Sequence, residues 1–214
     1  MIESATGLIL RTRPLTETSL IIHWLTSDRG RLATVAKGAR RPKSPYRGKL
    51  DLFYLADFSF VRSRRSELHT LREASLRETF RALRKDLTAL RQTAYCSALI
   101  EQATEIETPM KDVFELMSAW LAHAVNQPPL PHSIFSFEIR LLSHLGLEPD
   151  WEGSNLNPGL KEMAKTLAQA DWEILPRLKP SEAQVRALDH FLNYHLVFHL
   201  GKVPQGRAAA LISN

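Results

Sequence analysis

The period of the hydrophobic pattern changes once along this chain, near residue 79, and that change sets the architecture. Before it the pattern is that of strands. Leu50, Leu52, Tyr54, Ala56, Phe58 and Phe60 occupy every second position, with Asp51, Asp57 and Ser59 on the other face, the signature of a half-buried strand. Upstream, GLILRT, SLIIHWLT and GRLATVAKG are apolar or β-branched stretches separated by turn-rich joints at Thr12–Thr18 and Ser27–Gly30. Downstream of the polar joint Arg62–Ser66, ELHTLREASL makes a fifth. Five short strands in under 80 residues predict a small closed or partly closed barrel, which hides its own edges.

After residue 79 the period is helical. Val113, Phe114, Met117, Trp120, Leu121 and Ala124 form one apolar stripe, with Thr108 as N-cap and Pro109 at the first helical position. A helix is expected before it, over about Arg91–Ile106. Another spans about Pro131–Leu145, stopped by Gly146 and Pro149. Trp151–Pro158 reads as loop, and Asn157-Pro158 opens a short helix to about Ala170. Ser181 and Gln184 form a capping box for a last helix to about Leu200, ended by Gly201 and Pro204. The predicted class is therefore α+β: a five-stranded barrel over residues 1–78, then an all-α domain over 79–214, with no Gly/Ser linker between them. No apolar run approaches the ~20 residues needed to cross a bilayer. The start carries Glu3 and no basic n-region, so no export signal is expected. Cys96 is the only cysteine, which excludes a disulfide within the chain and points to a reducing cytoplasm.

Charge divides the chain unevenly. Residues 1–85 carry 18 Lys and Arg against 8 Asp and Glu, a net of +10, whereas residues 86–214 carry 10 against 15, a net of −5. From Lys37 to Lys49, KGARRPKSPYRGK, six of thirteen residues are basic (Lys37, Arg40, Arg41, Lys43, Arg47, Lys49) and none is acidic. A solvated face is the ordinary reading of scattered charge. Crowding six like charges gains folding nothing, and a phosphate backbone is the more economical partner.

Signals for chemistry are weak. G-x-S-x-G, G-x-x-x-x-G-K-[ST] and G-x-G-x-x-G do not occur. His195 and His199 lie one helical turn apart, but Leu196-Val197-Phe198 between them supply no glutamate, so H-E-x-x-H is unmet and helix packing is the simpler reading. Glu101, Glu105 and Glu107 fit a solvated helix face better than a Mg²⁺ site. Cys96, inside AYCSALI, reads as a buried small hydrophobe. No cofactor and no metal are expected. Among the aromatics, alternation assigns Tyr54, Phe58 and Phe60 to the core. Tyr46, between Pro45 and Arg47 in the basic run, is the better base-stacking candidate, with a turn residue as the alternative.

Residues 13–50, RPLTETSLIIHWLTSDRGRLATVAKGARRPKSPYRGKL, resemble the first domain of the RecO-type recombination mediators. Matching elements are Arg13-Pro14, Glu17-Thr18-Ser19-Leu20, Gly30-Arg31 and Val35-Ala36-Lys37-Gly38-Ala39-Arg40-Arg41, with Lys43-Ser44 and Gly48-Lys49-Leu50 following. Phe137-Glu138-Ile139-Arg140-Leu141-Leu142 is similar to that family's central helix, and His199-Leu200-Gly201-Lys202 to its C-terminal HLGK. The resemblance implies an N-terminal OB-fold followed by a helical domain, and no catalytic site. It implies binding of single- and double-stranded DNA, annealing of complementary strands, action with the RecR ring protein, and help in loading recombinase onto coated single strands. It also implies that the tail of the single-stranded-DNA-binding protein docks on the helical domain, and a cytoplasmic, nucleoid-associated location. Many members carry a four-cysteine zinc site after the central helix; here Trp151–Leu160 contain no cysteine.

The expected DNA contacts are Lys37, Arg40, Arg41, Lys43, Arg47 and Lys49, supported by Arg11, Arg13, Arg29 and Arg31. Arg140 and Lys202 are the candidates for partner docking. The alternative is an RNA-binding OB-fold protein of translation or RNA processing. A metal-dependent nuclease lacks a carboxylate cluster.

Overall fold

β1 (Ile2–Pro14) is 13 residues long, and that length lets it serve two neighbours at once. Its first half pairs antiparallel with β4 (Leu55–Val61), from Ile2 opposite Val61 to Leu8 opposite Leu55. Its second half pairs antiparallel with β2 (Leu20–Thr26), from Gly7 opposite Thr26 to Pro14 opposite Leu20, with a bulge between Ile9 and Arg11. The structure, a computed structural model, describes residues 1–212. β2 continues antiparallel to β3 (Gly30–Ala36), and β4 to β5 (Leu68–Glu78). A short parallel pairing of β3 with β5, Ala33 opposite Leu68 to Val35 opposite Thr70, completes the closed order β1-β2-β3-β5-β4. This is an OB-fold barrel.

The interior is filled by aromatic side chains. Trp24 and Phe58 stack with centroids 4.0 Å apart, and Phe60 follows at 5.8 Å from Phe58. The buried indole N–H of Trp24 donates to Thr34 Oγ1 at 2.8 Å, so the bulkiest core group leaves no polar atom unsatisfied. Gly7, where β1 passes from one partner to the other, is needed for contact: an added Cβ would lie 3.0 Å from the Phe58 ring and 3.1 Å from the Leu25 carbonyl oxygen. The expected strand over residues 50–60 starts only at Leu55, because residues 52 and 53 form a turn in which Phe53 takes φ 64°.

The helices are α1 (Leu87–Ala103), α2 (Lys111–Asn126), α3 (Pro131–His144), α4 (Pro158–Gln169), α5 (Glu182–Leu200) and the short α6 (Arg207–Ala210). α4 starts as anticipated, with the Asn157 side chain accepting from Leu160 N and Pro158 at the first position. The Ser181–Gln184 capping box is formed at the start of α5. α2 starts at Lys111 rather than Pro109. α3 is buried on nearly every side, from His132 to Leu142 apart from Arg140. Its Glu138 is fully buried, accepts from Tyr95 Oη at 2.6 Å and pairs with Arg207 at 2.7 Å. Packing in space divides the chain into two units, residues 1–80 with 104–115, and residues 81–103 with the chain from 116 onward. No helix among the described residues is long and apolar enough to cross a membrane.

Candidate nucleic-acid interface

β3 ends at Ala36 and the chain does not re-enter the sheet until Leu55. Gly38, Pro42, Ser44, Pro45 and Gly48 populate this stretch, and such residues favour turns over helix or strand. The backbone accordingly runs through successive turns, each closed by a bond from residue i+3 to residue i. Ala39 N donates to Ala36 O, Arg41 N to Gly38 O, Ser44 N to Arg41 O, Arg47 N to Ser44 O and Lys49 N to Tyr46 O, at 3.0–3.3 Å.

The barrel pins this ladder at three points. Arg40 N donates to Thr18 O at 3.0 Å. Tyr46 enters the barrel core, 8% exposed, and its hydroxyl lies 3.1 Å from Leu71 O and 2.9 Å from Arg72 O. Phe53 N donates to Ile9 O at 2.8 Å, and Ile9 N to Tyr54 O at 3.0 Å. Tyr46 is therefore an anchor and not the stacking platform expected from its place in the basic run. Burial raises its phenol above the ordinary tyrosine range, against the opposing charge of Arg72.

Lys37, Arg40, Arg41, Lys43 and Arg47 are exposed and Lys49 is half-buried. None of the six has a carboxylate partner among the described residues. Several of the barrel's other cations are engaged instead. Arg29 pairs with Glu3 at 2.5 Å. Arg62 bridges Glu3 at 2.9 Å and Glu107 at 2.6 Å. Arg77 pairs with Asp57 at 2.6 Å. Arg31 donates from Nε to Thr104 Oγ1 at 2.9 Å. Of the four supporting arginines, Arg29 and Arg31 are thus engaged in holding the fold, while Arg11 and Arg13 are exposed. Arg11, Arg13 and Arg31 lie close enough to His23 to act on it: burial first, then these three charges, lower its pKa to about 4.

The loop also forms a cleft. Arg40, Arg41 and Arg47 surround it, with Leu20, Leu50 and Tyr54 among its lining residues. Tyr54, which alternation assigned to the core, packs in part against the barrel core and also lines this cleft. It lies just before β4 and is half-buried.

In the helical unit, Arg140 is half-buried. Its Nε donates to Ser136 Oγ at 3.1 Å, and Nε and Nη2 reach Leu167 O at 3.3 Å. Nη2 also donates to Ala170 O, and the guanidinium lies 4.6 Å from the Trp172 ring centroid. Lys202 is exposed, and its carbonyl accepts from Gln102. His195 Nε2 lies 2.8 Å from Leu147 O, and no group of three His, Cys, Asp or Glu suited to a metal occurs among the described residues. Where the resemblance places zinc in other members, Trp151 and Leu160 are buried in the apolar core instead. That environment does not fit zinc.

Comparison with known proteins adds to this geometry. Residues 1–80 match the family model described as "Recombination protein O N terminal", and residues 84–154 match "Recombination protein O C terminal". The chain is similar to proteins named "DNA repair protein RecO" in several bacteria. Identity with the Rhodopirellula baltica protein is 30% over 143 residues, 67% of this chain and 53% of that protein. With the Idiomarina loihiensis protein it is 36% over 147 residues, 68% of this chain and 61% of that protein. The match to each of these two spans little more than half of the relative's length. With the Alkaliphilus metalliredigens protein, 26% identity extends over 95% of this chain and 96% of that protein.

Proposed function

The chain belongs to the RecO family of DNA repair proteins, and from that premise we propose that it is a DNA-binding mediator of recombinational repair that anneals complementary strands. The observation that carries this reading is the set of six cations without carboxylate partners on a loop whose backbone the barrel pins. An unneutralised cation on an ordered scaffold meets a phosphate without first breaking an internal ion pair. The strands to be annealed repel one another, and neutralising phosphates on both at once removes the repulsion that slows their encounter. Phosphate contacts carry no base information, so the loop should act on any sequence. The role requires binding and release, with no chemical step.

In this reading the family's other contacts fall to the helical unit. The ring partner and the acidic, apolar tail of the strand-coating protein are its proposed partners, with Lys202 as an exposed cation and Arg140 beside Trp172 as an aromatic-backed one. Together they would help a recombinase gain access to coated single strands.

The test mixes labelled complementary strands with the protein. Wild type should speed duplex formation, and Arg40→Glu combined with Arg41→Glu should remove most of the gain. Affinity for single strands should fall with salt with a log–log slope of about −2 to −4, from ~0.7 per phosphate contact. Salt-insensitive binding, or cleavage of the labelled strands in Mg²⁺, would overturn the reading. So would an RNA oligomer that displaces DNA at much lower concentration.

A further inference from the structure

The cleft beside the turn ladder combines two chemistries that a phosphate backbone alone does not need. Its volume is about 410 Å³, within the range of small-ligand sites. Arg40, Arg41 and Arg47 supply positive charge, while Leu20, Leu50 and Tyr54 supply apolar and aromatic surface. A phosphate needs only the cations. An apolar surface beside them matches a ligand that is anionic at one end and flat and apolar at the other.

We propose that this cleft binds one unstacked nucleotide of a single strand, its phosphate on the arginines and its base against Tyr54. The proposal rests on the DNA-binding reading above and sharpens it. Inside a duplex each base is stacked and paired, so its faces are unavailable, whereas in a single strand they are open to an aromatic ring. The lining also gives the site a direction. Asp51 is part of the cleft, and a carboxylate repels phosphate, so the anionic end belongs with the arginines. The larger groove on the barrel, about 940 Å³, is a poorer candidate: Asp28, Asp57 and Glu73 oppose its Lys49 and Arg72. The cleft lies at the β3–β4 loop, where strand capture and phosphate neutralisation share the same arginines.

The experiment compares an oligothymidylate with a strand of equal length made wholly of abasic sites. The bases should strengthen binding by roughly 5- to 150-fold, since one base on an aromatic ring contributes about 1–3 kcal/mol, while the salt slope stays the same for both strands. Tyr54→Leu should shrink that difference without changing the salt slope. Because Tyr54 also packs against the barrel core, a second measurement avoids the substitution: a strand carrying 5-iodouracil, irradiated on the wild-type protein, should cross-link at Tyr54. Equal binding of the abasic strand, or cross-links confined to residues outside 39–54, would overturn the proposal. If Arg40→Glu with Arg41→Glu leaves the binding of both strands unchanged, the DNA-binding reading itself falls and the cleft falls with it.

Discussion

Arg140 shows how one side chain is claimed by the fold before any partner reaches it. The last carbonyls of a helix lack partners within the helix, and at the end of α4 the Arg140 fork supplies donors to Leu167 O and Ala170 O. Burial lowers its pKa below the ordinary arginine value, with the charge of Asp171 acting in the opposite sense. Arg140→Lys keeps the charge and loses the planar fork, so it should lower unfolding free energy by about 1–2 kcal/mol. Denaturant unfolding measures this, and an unchanged midpoint would mean that the helix end is satisfied without the guanidinium. A tail peptide that loses affinity with this variant by more than the stability change explains would add a docking role. A tyrosine makes a related point. Tyr46 lies among six cations and looks like a contact residue in sequence, yet its ring fills the barrel and its hydroxyl meets the carbonyls of residues 71 and 72. Those partners belong to a strand more than twenty positions away, and nothing local encodes them.

At the scale of elements, the chain between α1 and α2 is tied back to the barrel. Residues 104–108 run beside the start of β3: Ile106 forms a parallel bridge with Arg31, Glu107 N donates to Arg31 O at 2.9 Å, and Glu107 Oε1 lies 2.6 Å from His69 Nε2. Gly30 makes this approach possible. It takes φ +67°, and a Cβ there would collide with the backbone of Thr108. Gly30→Ala should therefore cost about 2 kcal/mol or more, combining a left-handed backbone with overpacking. Hydrogen exchange of the Glu107 amide should speed up in the variant; unaltered protection would show that the segment is held by its side chains alone. Strand and helix periodicity made most elements legible, since alternation at Phe58–Phe60 and the Ser181–Gln184 box are local signals. The return of residues 104–115 to the barrel unit was not legible, because it depends on Arg31, Arg62 and His69, which are distant in sequence. The late start of β4 has a similar cause: Phe53 breaks the alternation and is buried from a turn, where an apolar side chain every second residue continued to mimic a strand. The basic loop was legible as charge. Its pinned turns and cleft required the fold.

For the whole molecule, the uneven charge and the buried histidines act through different pH windows. The positive excess of residues 1–85 comes from arginines and lysines, which keep their charge throughout the physiological range, so DNA binding should change little between pH 8 and 6. Stability should not be so constant. Burial, reinforced by the charges of His132 and Arg140, lowers the pKa of His123 in the helical unit from 6.5 to about 4, and His23 in the barrel reaches a similar value. An imidazole held neutral in the fold gives up a proton that the unfolded chain binds below about pH 6.5. Its contribution is thus present above that pH and lost as pH falls toward 4. Carboxylates follow later: hydrogen bonds from Arg62 to Glu3 and from Arg77 to Asp57 hold both below the ordinary range, so their share is lost at still lower pH. For His123 alone the loss on going from pH 7.5 to 5 should be about 2 kcal/mol. His123→Gln removes the titrating group while leaving an amide to meet Ser133 Oγ, which now lies 3.1 Å from His123 Nε2. The variant should be less stable than wild type at pH 7.5, because the ring also packs beside Trp120 and Trp172. Between pH 7.5 and 5, however, its unfolding midpoint should shift less than that of wild type. Equal shifts in the two proteins would place the acid sensitivity elsewhere, with His23 in the barrel as the next group to replace.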